Sequence, residues 1–387
     1  MLFIKGQIMR KTLFKWHSIS ALIALIPIII IAVTGSILVF KVEIDTWLMP
    51  AHMQVKYTEQ TPRLNFNELI ENIEAKHPEF LMGSWEIFDG APGQEMARAD
   101  TAYVIEKATG YWHKLYINQY TGELLSAPVT VVHDFTDWLL SLHYTFLLDF
   151  TGTVIGAVMS IILFFLGVSG IILHKQFWKK IFTLRFGAAK RVFFSDVHKL
   201  FGIISSPVIL IVALTGAYFN IYAVVHEIEE HSEPHPLLTQ ALYSDNVDFQ
   251  YLLDRTETDL DNYRATYMTF PFEPELHITF YGEVPTGNPL TSEYASMLTY
   301  SRDTGELMSS YDIRTAPAIN VVVDTFRKLH FGYFAGLPSK IIWAVLGLTP
   351  LWLSLTGLYF YWFRKHKGRK KRVPTATATA TAQPARH

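Results

Sequence analysis

The sequence predicts a polytopic α-helical membrane protein: a four-helix transmembrane bundle built by tandem duplication, with α+β domains outside the membrane. Three observations lead to this prediction. Half of the 387 residues are hydrophobic, and only 18% are charged. Four apolar stretches, residues 16–40, 151–173, 200–224 and 340–363, reach the roughly 20 residues that cross a bilayer. Short motifs recur in the same order in the two halves of the chain, which indicates a duplication.

The first apolar stretch lies where a secretory signal peptide would lie, but we interpret it as a retained helix. It is longer than a signal-peptide core, lacks a small-residue cleavage site and has a counterpart in the second half. Lys and Arg cluster beside the predicted spans, in residues 5–15, 175–199 and 364–372. Since such clusters stay in the cytoplasm, we expect both termini there, the chain in a bacterial inner membrane and the long segments in the periplasm.

These features divide the chain into successive segments. They are the N-terminus with a first transmembrane helix (1–40), a periplasmic domain (41–142), a second helix (143–174), a basic cytoplasmic loop (175–197), a third helix (198–224), a second periplasmic domain (225–329), a fourth helix (330–363) and a basic, disordered cytoplasmic tail (364–387). The net charge of −2 gives no indication of nucleic-acid binding, so we expect membrane lipid and no nucleic acid as partners.

Each predicted periplasmic domain has α+β patterning. Residues 66–77 have helical periodicity, with Asn65 as a possible N-cap. Strand patterns cover residues 103–106 and 113–118 in the first domain and 277–282 and 297–301 in the second. A Thr-Gly-Glu sequence follows in both domains, at residues 121–123 and 304–306, and predicts a turn between strands.

Each predicted span has one histidine at an end and a small hydroxyl residue followed by glycine further along. The histidines are His17, His143, His198 and His330, and the pairs are Thr34-Gly35, Ser169-Gly170, Thr215-Gly216 and Thr356-Gly357. The separation is 17 residues in the first span of each half and 26 residues in the second. A lone histidine near a helix end is usually interfacial, but four that obey a duplicated spacing predict a functional site, since ionisable groups at membrane depth are costly.

Duplicated halves with the same orientation are related by a pseudo-twofold axis along the membrane normal. This axis places His17 opposite His198 near the cytoplasm and His143 opposite His330 near the outside. Two facing histidines can supply both axial ligands of one haem iron. Because the chain has no cysteine, covalent haem attachment, disulfides and iron–sulfur clusters are excluded. The sequence therefore predicts two non-covalent b-type haems, each with two histidine ligands.

Other residues leave alternatives open. His174 lies at the level of the inner pair, with Tyr361 as its counterpart; it replaces an inner ligand, contacts a haem propionate or is an interfacial histidine beside Lys175. The small residues of the spans either permit close helix approach or make room for a flat macrocycle. Residues 226–235 hold three histidines and four glutamates, able to bind a metal ion, although a solvated acidic loop is the simpler interpretation.

Two further features concern the spans themselves. Pro27 and Pro207 follow the first histidine of each half and are expected to kink their helices. Asp137 and Asp324 each lie six residues before the second histidine of their half.

Several of these pieces together resemble the PepSY-associated transmembrane family, over nearly the whole chain up to the tail. They are Lys15-Trp16-His17 with Val33-Thr34-Gly35, residues 196–202 (Asp-Val-His-Lys-Leu-Phe-Gly) with Leu214-Thr215-Gly216, Lys328-Leu329-His330-Phe331-Gly332, and the two Thr-Gly-Glu turns. Ser169 departs from the usual threonine. The resemblance implies PepSY-like periplasmic domains. The best-understood type in this family is an inner-membrane ferric-siderophore reductase that binds two haems between four helices.

The resemblance thus implies a haem-dependent ferric-chelate oxidoreductase that carries electrons across the membrane to a periplasmic ferric siderophore. No Gly-x-Gly-x-x-Gly sequence follows a strand and the cytoplasmic parts are short, so the electron donor would be a separate cytoplasmic protein or a membrane quinol. Two alternatives stay open. One is a non-enzymatic PepSY-type sensor or assembly factor, and the other is a permease for an iron complex.

Overall fold

A computed structural model describes residues 2–58, 61–90, 94–174, 184–230 and 237–370. The helices are α1 (Leu2–Ile23), α2 (Leu25–Leu38), α3 (Lys41–Leu48), α4 (Pro50–Met53), α5 (Phe66–Lys76), α6 (Phe135–Thr145), α7 (Asp149–Leu173), α8 (Lys190–Ile204), α9 (Ser206–Glu230), α10 (Phe249–Asp259), α11 (Ala318–Phe331), α12 (Leu337–Gly347) and α13 (Thr349–Lys370). The strands are β1 (Gln54–Lys56), β2 (Phe80–Glu86), β3 (Met96–Arg98), β4 (Asp100–Glu106), β5 (Trp112–Ile117), β6 (Val129–Thr130), β7 (Arg264–Thr269), β8 (Ile278–Glu283), β9 (Ser296–Tyr300) and β10 (Leu307–Tyr311).

The predicted four-helix transmembrane bundle is wrong. Within the described residues, three helical segments are long and apolar enough to cross a membrane: Asp149–Leu173, Ser206–Glu229 and Leu337–Lys365. The first predicted span is broken, because α1 ends at Ile23, α2 begins at Leu25, and the two are bent by 68°. It provides a fourth crossing only if this bent pair is counted as one span.

Proline explains the break. Pro27 has no N–H to donate to the carbonyl group four residues earlier, that of Ile23, and its ring crowds that carbonyl. In the second half Pro207 stands in the same relation to Ile203, and α8 ends at Ile204. The first predicted kink is therefore present, and the second proline lies beside a break between α8 and α9 at Ser205. Apolar composition gave the length of the first stretch but not the direction of its backbone. The number of unbroken spans was therefore overestimated.

The two segments predicted to be periplasmic share a single eight-stranded antiparallel sheet, with the order β10-β9-β8-β7-β2-β4-β5-β6. Each half contributes four strands, and the halves meet where Trp85 on β2 pairs with Met268 on β7. The two expected α+β modules are thus not separate. Without this pairing β2 and β7 would both be edge strands with unpaired backbone groups. The smaller sheet pairs β1 with β3.

Local predictions within the segments are confirmed. Helix α5 begins at Phe66, and the side chain of Asn65 caps it by accepting a hydrogen bond of 2.9 Å from the Asn67 N–H. The four predicted strand patterns fall in β4, β5, β8 and β9. Both Thr-Gly-Glu sequences form turns in which the glycine has a left-handed backbone, with φ of +74° at Gly122 and +70° at Gly305. Glycine adopts this conformation without a Cβ clash.

Helices α5 and α10 pack on the same face of the large sheet and enclose one hydrophobic core. Their first turns are bonded to each other. The Asn67 Nδ2 donates to Asp248 at 2.7 Å, and the Asn67 side-chain oxygen accepts from the Phe249 N–H at 2.9 Å. Phe66 and the fully buried Trp85 pack beneath them, with ring centroids 4.8 Å apart. The two halves are therefore joined in the helical layer as well as in the sheet.

Asp100, at the start of β4, is a carboxylate with no exposed surface in this core. It accepts hydrogen bonds from the Trp85 Nε1 at 2.6 Å and the Phe88 N–H at 2.9 Å, and it pairs with the Arg63 guanidinium. A buried charge is tolerated only when it is paired and hydrogen-bonded in this way. Asp100 therefore connects β2, β4 and the segment before α5.

We expect Asp100→Ala to lower the free energy of unfolding by about 3–5 kcal/mol, because it leaves the Trp85 N–H buried without a partner and removes the closest carboxylate from Arg63. The Arg63 guanidinium then keeps only the Phe88 carbonyl at 3.4 Å and Asp89 at 3.5 Å. Asp303→Ala is the matched control. The Asp303 side chain is 72% exposed and its oxygen lies 3.9 Å from Arg302, so the change should stay within about 0.5 kcal/mol. Thermal unfolding of the full chain in detergent, followed by circular dichroism, compares them. Equal effects of the two substitutions would contradict this role of Asp100.

Candidate functional site

Each half of the chain has two arms, which are the helices of its first and of its second predicted span. Each of the four histidines is hydrogen-bonded to the small hydroxyl residue on the other arm of its own half. The Nδ1–oxygen distances are 2.7 Å for His17 to Ser169, 2.9 Å for His143 to Thr34, 2.7 Å for His198 to Thr356 and 2.8 Å for His330 to Thr215. The arrangement is crossed: α1 meets α7 and α6 meets α2 in the first half, whereas α8 meets α13 and α11 meets α9 in the second. The duplication is therefore preserved at the level of single hydrogen bonds.

Each hydroxyl also lies within hydrogen-bond distance of a carbonyl of its own helix: Thr34 of Ile30 at 2.6 Å, Thr215 of Ile211 at 2.7 Å, Thr356 of Trp352 at 2.7 Å and Ser169 of Leu166 at 3.3 Å. A hydroxyl that donates to this carbonyl can accept a hydrogen bond from an imidazole Nδ1–H. In that tautomer the Nε2 lone pair of the histidine is available to a metal.

The outer pair has the separation of two ligands on one metal. The ring centroids of His143 and His330 are 6.4 Å apart, and their planes differ by 64°. Two imidazoles on opposite sides of a metal, with metal–nitrogen distances of about 2 Å and each nitrogen about 1 Å from its ring centre, have centroids about 6 Å apart. The side chains present therefore fit a bis-histidine iron, and their role as ligands stays a prediction.

Glycines allow the outer imidazoles to lie this close to the neighbouring helices. A Cβ on Gly35 would lie 2.7 Å from the Cε1 of His143, and one on Gly216 would lie 3.1 Å from the Cε1 of His330. At the inner pair the same position has more room, since a Cβ on Gly170 would lie 3.8 Å from His17 and one on Gly357 would meet nothing within 4 Å. The glycines thus allow close packing against the outer histidines and leave open space beside the inner ones.

The inner histidines line a cavity of about 740 Å³. His17, His198 and His174 all contribute to its wall, and so does Tyr361, the counterpart of His174. The rest of the wall is largely apolar, and the volume lies within the roughly 300–1,000 Å³ range of small-molecule pockets. His174 therefore lies close enough to share a ligand with the inner pair, which keeps all three of its sequence interpretations open.

The charged residues that line the inner cavity are all basic. They are Arg10, Lys11, Arg191, Lys199 and Arg364, and none of the described lining residues is Asp or Glu. Such a cavity suits a ligand with an apolar body and negatively charged groups. Haem, a flat apolar macrocycle with two propionates, has this chemistry.

The helices that carry the outer histidines are anchored to the external region by the two duplicated aspartates. Asp137 on α6 accepts from Lys41 at 2.8 Å and from Lys114 on β5. Asp324 on α11 instead accepts from the N–H and hydroxyl of Ser292, at 2.8 Å and 2.5 Å. The positions are equivalent, but the partners differ between the halves.

Two carboxylates beside these helices remain ionised. Burial alone would raise the pKa of Asp134, but the Lys114 ammonium, 2.6 Å away, holds that pKa below its usual range. Burial also opposes ionisation of Glu293, and Arg327, with its Nε at 3.0 Å, lowers the pKa of that carboxyl. Because both pKa values are depressed, the stability from these pairs is present at neutral pH and is lost as the pH falls through the folded-state pKa values.

Sequence reasoning found the histidines but missed the bonds made by the hydroxyl residues. The equal separations in the two halves were the available indication, yet they did not show that each hydroxyl binds the other histidine of its half. Of the His/Glu segment 226–235, residues 231–235 lie outside the described residues. Among the described residues, no group of three His, Asp or Glu side chains is placed to hold a metal ion.

We expect Gly35→Ala to lower the free energy of unfolding by about 1–3 kcal/mol, because the added methyl group overlaps the His143 ring. Gly357→Ala is the control, since its methyl group meets open space and alanine favours a helix by up to about 1 kcal/mol over glycine. Thermal unfolding of the two full-length variants measures both. A Gly35→Ala protein as stable as Gly357→Ala would contradict the close packing at His143.

The chain matches the family model of the PepSY-associated TM region over residues 14–365. This range contains the four histidines, the three long apolar segments and the shared sheet. No curated protein matches the chain. The protein thus belongs to the PepSY-associated transmembrane family.

Proposed function

We propose that the protein is a di-haem b oxidoreductase of a bacterial inner membrane that passes electrons across the membrane to a ferric siderophore. The observation that carries this proposal is the outer pair: His143 and His330 lie with ring centroids 6.4 Å apart, and the Nδ1 of each is hydrogen-bonded to a threonine hydroxyl. Bound haems would supply the one-electron carriers. Reduction of the ferric siderophore would loosen the chelate and release iron for uptake.

The chain's own residues would bind and orient these groups. His143 and His330 would ligate the outer iron through Nε2, and His17 and His198 would ligate the inner one. The basic residues of the inner cavity would pair with propionates, and its apolar wall would exclude water. Family membership supports a membrane protein with this architecture, and the acceptor and the reaction are our proposal.

The proposed topology follows from charge. The basic clusters before α1, between α7 and α8 and after α13 would face the cytoplasm, and the eight-stranded sheet would lie in the periplasm. This topology requires the bent pair α1 and α2 to cross the membrane as one span. Electrons would then enter near the inner cavity from a cytoplasmic protein or a membrane quinol. The ferric siderophore would be reduced on the side of the outer pair, below the sheet.

Haem content tests the proposal directly. Protein purified from cells supplied with haem should contain close to two haems per chain and show a Soret band with reduced α-bands. In vesicles with the sheet outside, an enclosed reductant should reduce an external ferric siderophore, followed with a ferrous-iron chelator. Colourless protein would contradict the proposal and favour a sensor, an assembly factor or a permease.

Each single histidine substitution should remove one haem, and the two histidines of a pair should give the same loss. We expect His17→Ala or His198→Ala to remove only the inner haem, and His143→Ala or His330→Ala only the outer one, because each pair shares an iron. The haem-to-protein ratio should fall to about half in each variant, and the remaining α-band identifies the haem that is left.

The exposed His133 provides the control, and His133→Ala should keep both haems. His174→Ala separates the alternatives for the inner site: the inner haem remains if His17 is its ligand and is lost if His174 replaces it. If every single substitution removed both haems from chains that circular dichroism shows to be folded, the proposed pairing would be wrong.

A further inference from the structure

We propose that Thr34, Ser169, Thr215 and Thr356 are positioning residues that fix the Nδ1–H tautomer and the ring orientation of the four histidines. They thereby set the haem affinity and the midpoint potential of each site. The haem readouts rest on the proposed function. The tautomer does not, because the hydrogen bonds exist in the chain without any cofactor.

The tautomer follows from the direction of two successive bonds. In the second half, the Thr356 hydroxyl donates to the Trp352 carbonyl at 2.7 Å and accepts from His198 at 2.7 Å. If the proton moved to Nε2, the Thr356 hydroxyl would have to turn from the Trp352 carbonyl to Nδ1, and its bond of 2.7 Å to that carbonyl would be lost. Loss of one buried hydrogen bond disfavours that form by about 10-fold. The Nδ1–H form should therefore dominate.

The orientation follows from the stiffness of threonine. A threonine side chain on a helix has few χ1 positions, and its bond to the carbonyl one turn back selects one of them. The oxygen then lies at a fixed point on one helix, and the imidazole of the opposing helix must turn to meet it. The planes of His143 and His330 differ by 64°, and each ring is held by a threonine hydroxyl and by a backbone carbonyl of the same helix, that of Ile31 or Val212.

Ser169 makes the His17 site the loosest of the four. Its hydroxyl bonds to the carbonyl three residues back, that of Leu166, at 3.3 Å, whereas each threonine also bonds to the carbonyl four residues back at 2.6–2.7 Å. Serine also lacks the methyl group that restricts χ1. His17 is therefore held less firmly than His198, its partner across the inner cavity, and Ser169→Thr should tighten it.

A histidine that donates its second N–H is a better ligand. The hydrogen bond makes Nε2 more basic, and loss of such a partner typically lowers metal affinity about 10- to 100-fold. Loss of the hydrogen bond also reduces electron donation from the histidine to the iron, which destabilises the ferric state more than the ferrous state. Removing the hydroxyl should therefore weaken haem binding and raise the midpoint potential of that site alone.

The decisive variant is Thr356→Val, which keeps the shape of threonine and removes its hydroxyl. Thr349→Val is the matched control. Thr349 lies on the same helix, is equally buried at 7% against 6%, and its hydroxyl donates to the Leu346 carbonyl at 2.6 Å. Thr356→Ser is the rescue variant, since it restores the hydroxyl. Thr34→Val applies the same change to the outer pair.

The first measurement uses full-length, haem-free protein labelled with ¹⁵N-histidine. We expect solid-state NMR shifts of an Nδ1–H imidazole for His198 in the unmodified chain, in Thr349→Val and in Thr356→Ser. Thr356→Val should shift His198 towards the Nε2–H form. Unchanged shifts in a folded Thr356→Val protein would overturn the proposal.

The second measurement uses haem-loaded protein. Thr356→Val should weaken the inner haem about 10-fold or more and raise its midpoint potential, while the outer haem stays unchanged. Should this variant fail to fold, Thr34→Val makes the same test on the outer haem. If Thr349→Val has the same effect as Thr356→Val, the hydroxyl is only structural and the proposal fails. A chain that binds no haem overturns the proposed function instead, and the NMR result still decides the tautomer.

Discussion

The hydrogen bond between an imidazole N–H and a back-bonded hydroxyl is the interaction on which the helical part depends. A polar N–H among apolar helices is costly unless it is paired, and here each pair joins two different helices. His17 with Ser169 and His143 with Thr34 lie at different levels and hold the same two arms together. The same close approach explains the glycine at position 35, because a Cβ there would lie 2.7 Å from the Cε1 of His143 and push the two helices apart.

The duplication extends this constraint from one half to the whole molecule. Each half alone would leave β2 or β7 as an open sheet edge and an outer histidine without a facing partner. Pairing the halves satisfies both at once, through the β2–β7 contact and through the approach of His143 to His330. Helices α6 and α11 connect these two levels, and Asp137 and Asp324 fix them to the external region. The sheet and the outer pair are therefore positioned by one symmetric framework.

The features that the sequence predicted correctly depend on short stretches of chain. The Asn65 cap, the strands and the Gly122 turn are set by neighbours within a few residues. The repeated spacing predicted the two histidine pairs, and their role as ligands stays a prediction. Long-range geometry was not accessible in the same way. The bend between α1 and α2 left the first span broken, and the partner of His143 is Thr34, 109 residues away. Residue patterns record local preference, whereas these features depend on where distant segments meet.

All four histidines have a hydroxyl residue at Nδ1, and the two sites differ in the residues that surround them. The inner site has open space at Gly357, five basic side chains and the looser Ser169 bond, and the outer site has close packing at Gly35 and Gly216. Basic residues around the inner site, only partly offset by two propionates, would stabilise the reduced state there and oppose outward transfer. Under the proposed topology, an inside-negative membrane potential acts the other way, by about 2.3 kcal/mol per electron for each 100 mV. Outward electron flow would then depend on that membrane potential and on the acceptor, as well as on the midpoint potentials of the two sites.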